Sequence, residues 1–99
     1  MTYPDLKEEC QNIYTELSYN SRMVRISMFH LMGRLLLENN EVVEGKLDKL
    51  AYAIGIDPYD LGTAILLAQR YPNLDDFPHD KTISFSQIRG ILDAQTKET

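Results

Sequence analysis

Along this chain apolar residues recur at steps of three and four, and nowhere do they alternate with polar ones over more than a few positions, so the pattern predicts helices and no sheet. Leu6, Cys10, Ile13, Tyr14 and Leu17 form one stripe, and Pro4, preceded by Thr2 or Tyr3, suits a first turn in which its missing N–H costs nothing. A first helix is therefore expected over about 4–18, with Asp5, Glu8 and Glu9 where the helix dipole favours anions. After "SYNSR", where Asn20 or Ser21 can cap, apolar residues from Met23 to Leu37 fall nearly all round a second helix of about 21–38. Such a helix is central, contacted on most sides, and Gly33 in its middle, which costs about 1 kcal/mol relative to alanine, predicts a close crossing by another helix.

"ENNE" ends the central helix, Asn39 or Asn40 being able to adopt a left-handed C-cap. A third helix over about 41–54 carries Val43, Leu47, Leu50, Ala51 and Ile54 inward and stops at Gly55. Asp57 then offers an N-cap and Pro58 a first helical residue, giving a fourth helix over about 58–70 with Leu61, Ala64, Ile65 and Ala68 inward. "YPNLDDFPHDK" has the composition of an ordered loop. Ser84 or Thr82 caps a last helix of about 84–94 bearing Phe85, Ile88, Ile91 and Leu92. The expected fold is all-α: a single domain of five helices with a helix-turn-helix-like pair packed on the long central helix, its core within about 4–94 and 95–99 a solvated tail.

The pair around Gly55 raises the first functional question. Ala51, four residues before the glycine, is small enough for a steep crossing, and Leu50, Ile54, Ile56, Leu61 and Ile65 fill the positions such a motif buries. In a DNA reader the second helix would present Asp57, Tyr59, Asp60, Gly62, Thr63 and Leu66 to a groove, and Tyr59 and Thr63 are the candidates there for base or phosphate contact. The carboxylates oppose that use and read better as helix N-terminal caps that reach no ligand. Cations stand elsewhere, Arg22 with Arg25 on the central helix and Lys46 with Lys49 on the third, each pair spaced to share a face. With Arg34, Arg70 and Arg89 they could form one basic patch, although Glu44 and Asp48 interleave the lysines as on an ordinary solvated face.

Charge and composition narrow the choice. Fifteen acidic against ten basic residues leave a net charge of −5, which opposes non-specific attraction to phosphates. The imbalance sharpens downstream, residues 50–99 holding four basic and seven acidic residues. Of the 99 residues 43% are apolar, enough for a core without metal or disulfide staples. Cys10, the one cysteine, has no intramolecular partner, as expected of a reducing, cytoplasmic setting. "MTYPDLKEECQNIY" holds neither a basic start nor an apolar run, and no stretch reaches the roughly 18 apolar residues of a membrane helix, so no export signal and no membrane association are expected.

Catalytic chemistry finds no motif. His30 reads as a packed histidine and His79 as an exposed one, neither having a second imidazole at metal-ligand spacing. Cys10 lacks an activating context, and the paired aspartates of "NLDDF" lack a third carboxylate. No phosphate-cradling glycine loop or glycine-flanked serine is present, and the expectation is a non-enzyme without cofactor or metal.

The order of landmarks, "MFHLMGRLLLEN", "LDKLAYAIGI", "AQRYPNLDDF" and "KTISFSQIRGIL", resembles a small helical domain of prokaryotic mobile elements, similar to the domain that precedes a restriction-type nuclease module in a bacterial family. The resemblance spans about residues 20–92 and departs at Phe85, where those relatives carry tryptophan, and in having no nuclease module after it. It implies association with DNA or with a nucleic-acid-processing partner and carries no catalytic residues. Two functions are expected from the whole. One is a regulatory DNA-binding protein of a mobile element or virus, acting as a homodimer through Arg22, Arg25, Lys46, Lys49, Tyr59 and Thr63. The alternative is an acidic protein-interaction module, an adaptor or inhibitor, whose protein partner presents a basic surface.

Overall fold

A computed structural model describes residues 1–17, 22–78 and 85–97. All regular structure among them is helical, in the order α1 (Tyr3–Leu17), α2 (Arg22–Glu38), α3 (Asn40–Val43), α4 (Leu47–Ile54), α5 (Pro58–Arg70), a 3-10 turn (Leu74–Asp76) and α6 (Phe85–Lys97). Thr2 opens α1 by accepting the Asp5 N–H at 3.4 Å, and Leu6, Cys10 and Ile13 are buried at the spacing of one helical face.

The α2–α5 pair is the most extensive contact in the molecule, and its cause is small residues. A Cβ on Gly33 would stand 2.0 Å from the Ala64 carbonyl oxygen and 3.1 Å from the Ala68 Cβ, so glycine alone allows this approach. His30 of α2 reaches the residue that ends α5, Tyr71. Two apolar clusters flank the crossing. Leu6, Cys10, Phe29, Met32, Leu36, Leu50 and Leu61 join α1, α2, α4 and the start of α5. Ile26, Leu67, Phe77, Ile88 and Leu92 join α2, the end of α5 and α6.

Two expectations are corrected. The helix expected over 41–54 is broken: Gly45, at φ 73°, separates α3 from α4. The break leaves α3 against α2 and α4 against α1 and α5, with Val43 and Leu50 buried in the same cluster. The tail expected from 95 is helical to Lys97, glutamine and lysine being good helix formers. The expected loop after α5 also holds one 3-10 turn, capped by Asn73 accepting the Asp75 N–H at 3.0 Å and followed by Phe77 packed edge-on against Tyr71 at 5.2 Å.

The turn between α4 and α5 follows the sequence pattern. Gly55 is left-handed at φ 84°, and the N–H groups of Gly55 and Ile56 both donate to the Ala51 carbonyl at 2.9 Å. Asp57 accepts the Tyr59 N–H at 2.8 Å, and Pro58 starts α5. The helix-turn-helix-like pair is thus present, with α5 against α2 and α4 set on α1 and α5.

Candidate interaction surfaces

The helix that would enter a DNA groove is α5, and its first two turns are already engaged. Asp60 accepts from Arg89 of α6 at 3.0 Å, and the Arg89 guanidinium lies 4.8 Å from the centre of the Tyr59 ring. The Tyr59 hydroxyl donates to Asp93 at 3.0 Å, and this acceptor, with its charge, raises the phenol above its ordinary pKa despite the opposing Arg89. Tyr59 keeps an exposed ring, and its hydroxyl is held at the surface by Asp93 of α6. Thr63 does not meet the expectation placed on it: it is 6% exposed and its hydroxyl donates back to the Tyr59 carbonyl, the i−4 bond that threonine makes within helices.

The cations that could serve phosphate are held on different helices. Lys46 and Lys49 are exposed, and both ammonium groups lie 5.4 Å from the centre of the Tyr3 ring, which packs on the first cluster while its buried hydroxyl has no partner among the described residues. Arg34 pairs with Glu38 along α2 at 3.8 Å, and Arg89 is held by Asp60. Arg22 and Arg25 stand at the start of α2, and their side chains lie outside the described residues, as does His79.

Two further chemistry-bearing residues, His30 and Cys10, are buried. His30 is buried, and because a carbonyl only accepts, its Nε2–H donates to the Tyr71 carbonyl, tying α2 to the end of α5. Cys10 is buried with no disulfide, its thiol pushed up to about 11 by burial and, secondarily, by Glu9. Among the described residues no three His, Cys, Asp or Glu side chains converge as metal ligands, and no described helix is long and apolar enough to cross a membrane.

One surface was not anticipated. Where α2 ends and the chain turns through α3 toward α4, a groove of about 460 Å³ opens, its floor made by Leu37, Val43, Leu47 and Ile65 and its rim by Glu41 and Glu44. Its trace in the sequence is the excess of aliphatics in "LLLENNEVVEG", more than one face can bury, but the groove exists only because Gly45 bends the chain. These features define a small all-α module with an acidic and apolar surface. No family model, characterised protein or solved structure matches the chain.

Proposed function

We propose that this chain is a non-catalytic protein-interaction module, an adaptor or inhibitor whose acidic surface meets a basic partner. The observation that carries this reading is the occupation of the would-be recognition helix: Asp60 is bound to Arg89, Tyr59 to Asp93, and Thr63 is buried. A helix whose leading turns are satisfied by its own fold, and whose first-turn charge is a carboxylate already held by Arg89, gives little to a phosphate backbone. The net charge of −5 favours the same class of partner by long-range attraction. The resemblance to mobile-element domains suggests that the partner is a nucleic-acid-processing enzyme, met in a reducing, cytoplasmic setting where Cys10 stays a thiol.

A second reading, a regulatory DNA-binding homodimer, has one observation in its favour. Lys46 and Lys49 are exposed, share a face and make no ion pair among the described residues. Doubling so small a basic face is what the dimer would be for. Titration of mixed-sequence duplex DNA at low salt separates the two. The protein-interaction reading expects no retention at micromolar chain, together with salt-sensitive capture of a basic protein from nuclease-treated lysate of the native host. Retention of DNA that weakens steeply with salt would overturn it.

A further inference from the structure

Building on the interaction reading, we infer that the groove between the end of α2, α3 and the start of α4 is where the partner docks, and that the docked element is a basic amphipathic helix. The floor is apolar, formed by Leu37, Val43, Leu47 and Ile65, so it recognises aliphatic side chains rather than a charged or strongly hydrogen-bonding ligand. Leu37 is half-buried and is not packed into either core cluster, which leaves its surface for an incoming group. On the rim Glu41 and Glu44 are exposed, and neither makes an ion pair among the described residues. Gly45, beside them, has open space around its Cα, so a ligand backbone can come close.

An apolar trough edged by unpaired carboxylates matches a helix with aliphatics at three- and four-residue spacing and lysine or arginine flanking them. A second copy of this chain fits less well. Each copy carries a net charge of −5, and an isologous contact through this groove would set Glu41 and Glu44 against the same residues of the other chain. An extended peptide also fits less well, since no strand edge exists among the described residues to receive it.

The test uses the full chain and a fluorescein-labelled synthetic helical peptide with leucines at three- and four-residue spacing and lysines elsewhere. Its controls are a scrambled peptide of equal composition and an analogue with glutamate for lysine. Saturable anisotropy is expected for the first peptide alone. Amide shift changes should centre on Val43, Gly45 and Leu47, and affinity should fall by about tenfold or more in the Glu41→Lys/Glu44→Lys variant. Both positions are exposed, so thermal unfolding of that variant stays near wild type, and Leu37→Ser serves as the apolar counterpart.

Equal binding of the scrambled peptide, unchanged affinity in both variants, or shifts centred instead on Asp57–Asp60 or Asp75–Asp76 would overturn the groove assignment. So would self-association of the chain alone that Leu37→Ser abolishes. If a host partner is captured and the charge-reversed variant retains it fully, the groove assignment fails while the interaction reading stands. If no partner is captured and no peptide binds, both fail.

Discussion

Replacing Gly33 with alanine tests the packing on which every surface described above depends. The added methyl would lie 2.0 Å from the Ala64 carbonyl oxygen, 2.6 Å from the Ala64 carbonyl carbon and 3.1 Å from the Ala68 Cβ. Ordinary contacts between carbons lie at about 3.5–4.0 Å, so α2 and α5 must part by more than about 1 Å. The two shortest contacts are to backbone, and no rotamer change relieves them. Overpacking of a core typically costs about 1–3 kcal/mol, and a clash with backbone belongs at the upper end. Against this stands the helix-propensity gain of about 1 kcal/mol on replacing a mid-helix glycine. The net expectation is a loss of about 2 kcal/mol, read as a lower urea midpoint at unchanged slope and a Tm lower by roughly 10 °C for a domain of this size.

Gly62 and Gly90 supply the internal controls. They lie inside α5 and α6 with nothing within 4 Å of an added Cβ, so alanine at either should stabilise by about 0.5–1 kcal/mol. Adding Ala68→Gly to Gly33→Ala should not restore stability, since the dominant clash is with the Ala64 carbonyl. A Gly33→Ala protein as stable as Gly62→Ala would refute the close α2–α5 approach.

Two further expectations concern titration. Cys10 should react with iodoacetamide at mildly alkaline pH about a hundredfold more slowly than an unfolded-chain thiol, burial having moved its pKa up to about 11, and reactivity near that of the denatured chain would contradict its placement. Because the folded pKa is the raised one, its contribution to stability is complete below the unfolded value and is lost as pH rises toward about 11, so the urea midpoint should fall over that alkaline window. The Tyr59 phenol, held above its ordinary pKa by Asp93, should titrate lower in Asp93→Asn than in wild type when followed by its ring NMR shifts, and an unchanged titration would remove the α5–α6 hydrogen bond from the account.

Much of the fold was legible because it rests on short-range rules. Aliphatic spacing at three and four positions marks an inward face wherever the backbone is helical, and it placed Leu6, Cys10 and Ile13, then Leu50, Ala51 and Ile54, then Leu61 and Ala64 in the core where they are found. Gly55 before Asp57 and Pro58 is a stop followed by a start, written in residues whose backbone preferences are local. Gly33 announced a close crossing, since a glycine inside an aliphatic helix is otherwise a cost.

The interaction surfaces were less legible. Val43, Leu47 and Leu50 keep the helical step straight across Gly45, so nothing in the periodicity marks the break, which comes where Gly45 turns left-handed. Tyr59 and Thr63 occupied positions that a helix-turn-helix exposes, and α6, arriving from some thirty residues downstream through Arg89 and Asp93, engaged one of them while α5's own packing buried the other.

Sequence alone therefore settled most of the helical segments, which side of each is greasy and the turn at Gly55, for these follow from backbone and side-chain preferences over a few residues. Which helix covers which face, which charges are spent on one another and where an apolar trough stays open were settled by packing between distant segments. Asp60 is bound because α6, from far downstream, brings Arg89 within 3.0 Å of it, while Glu41 and Glu44 make no ion pair among the described residues.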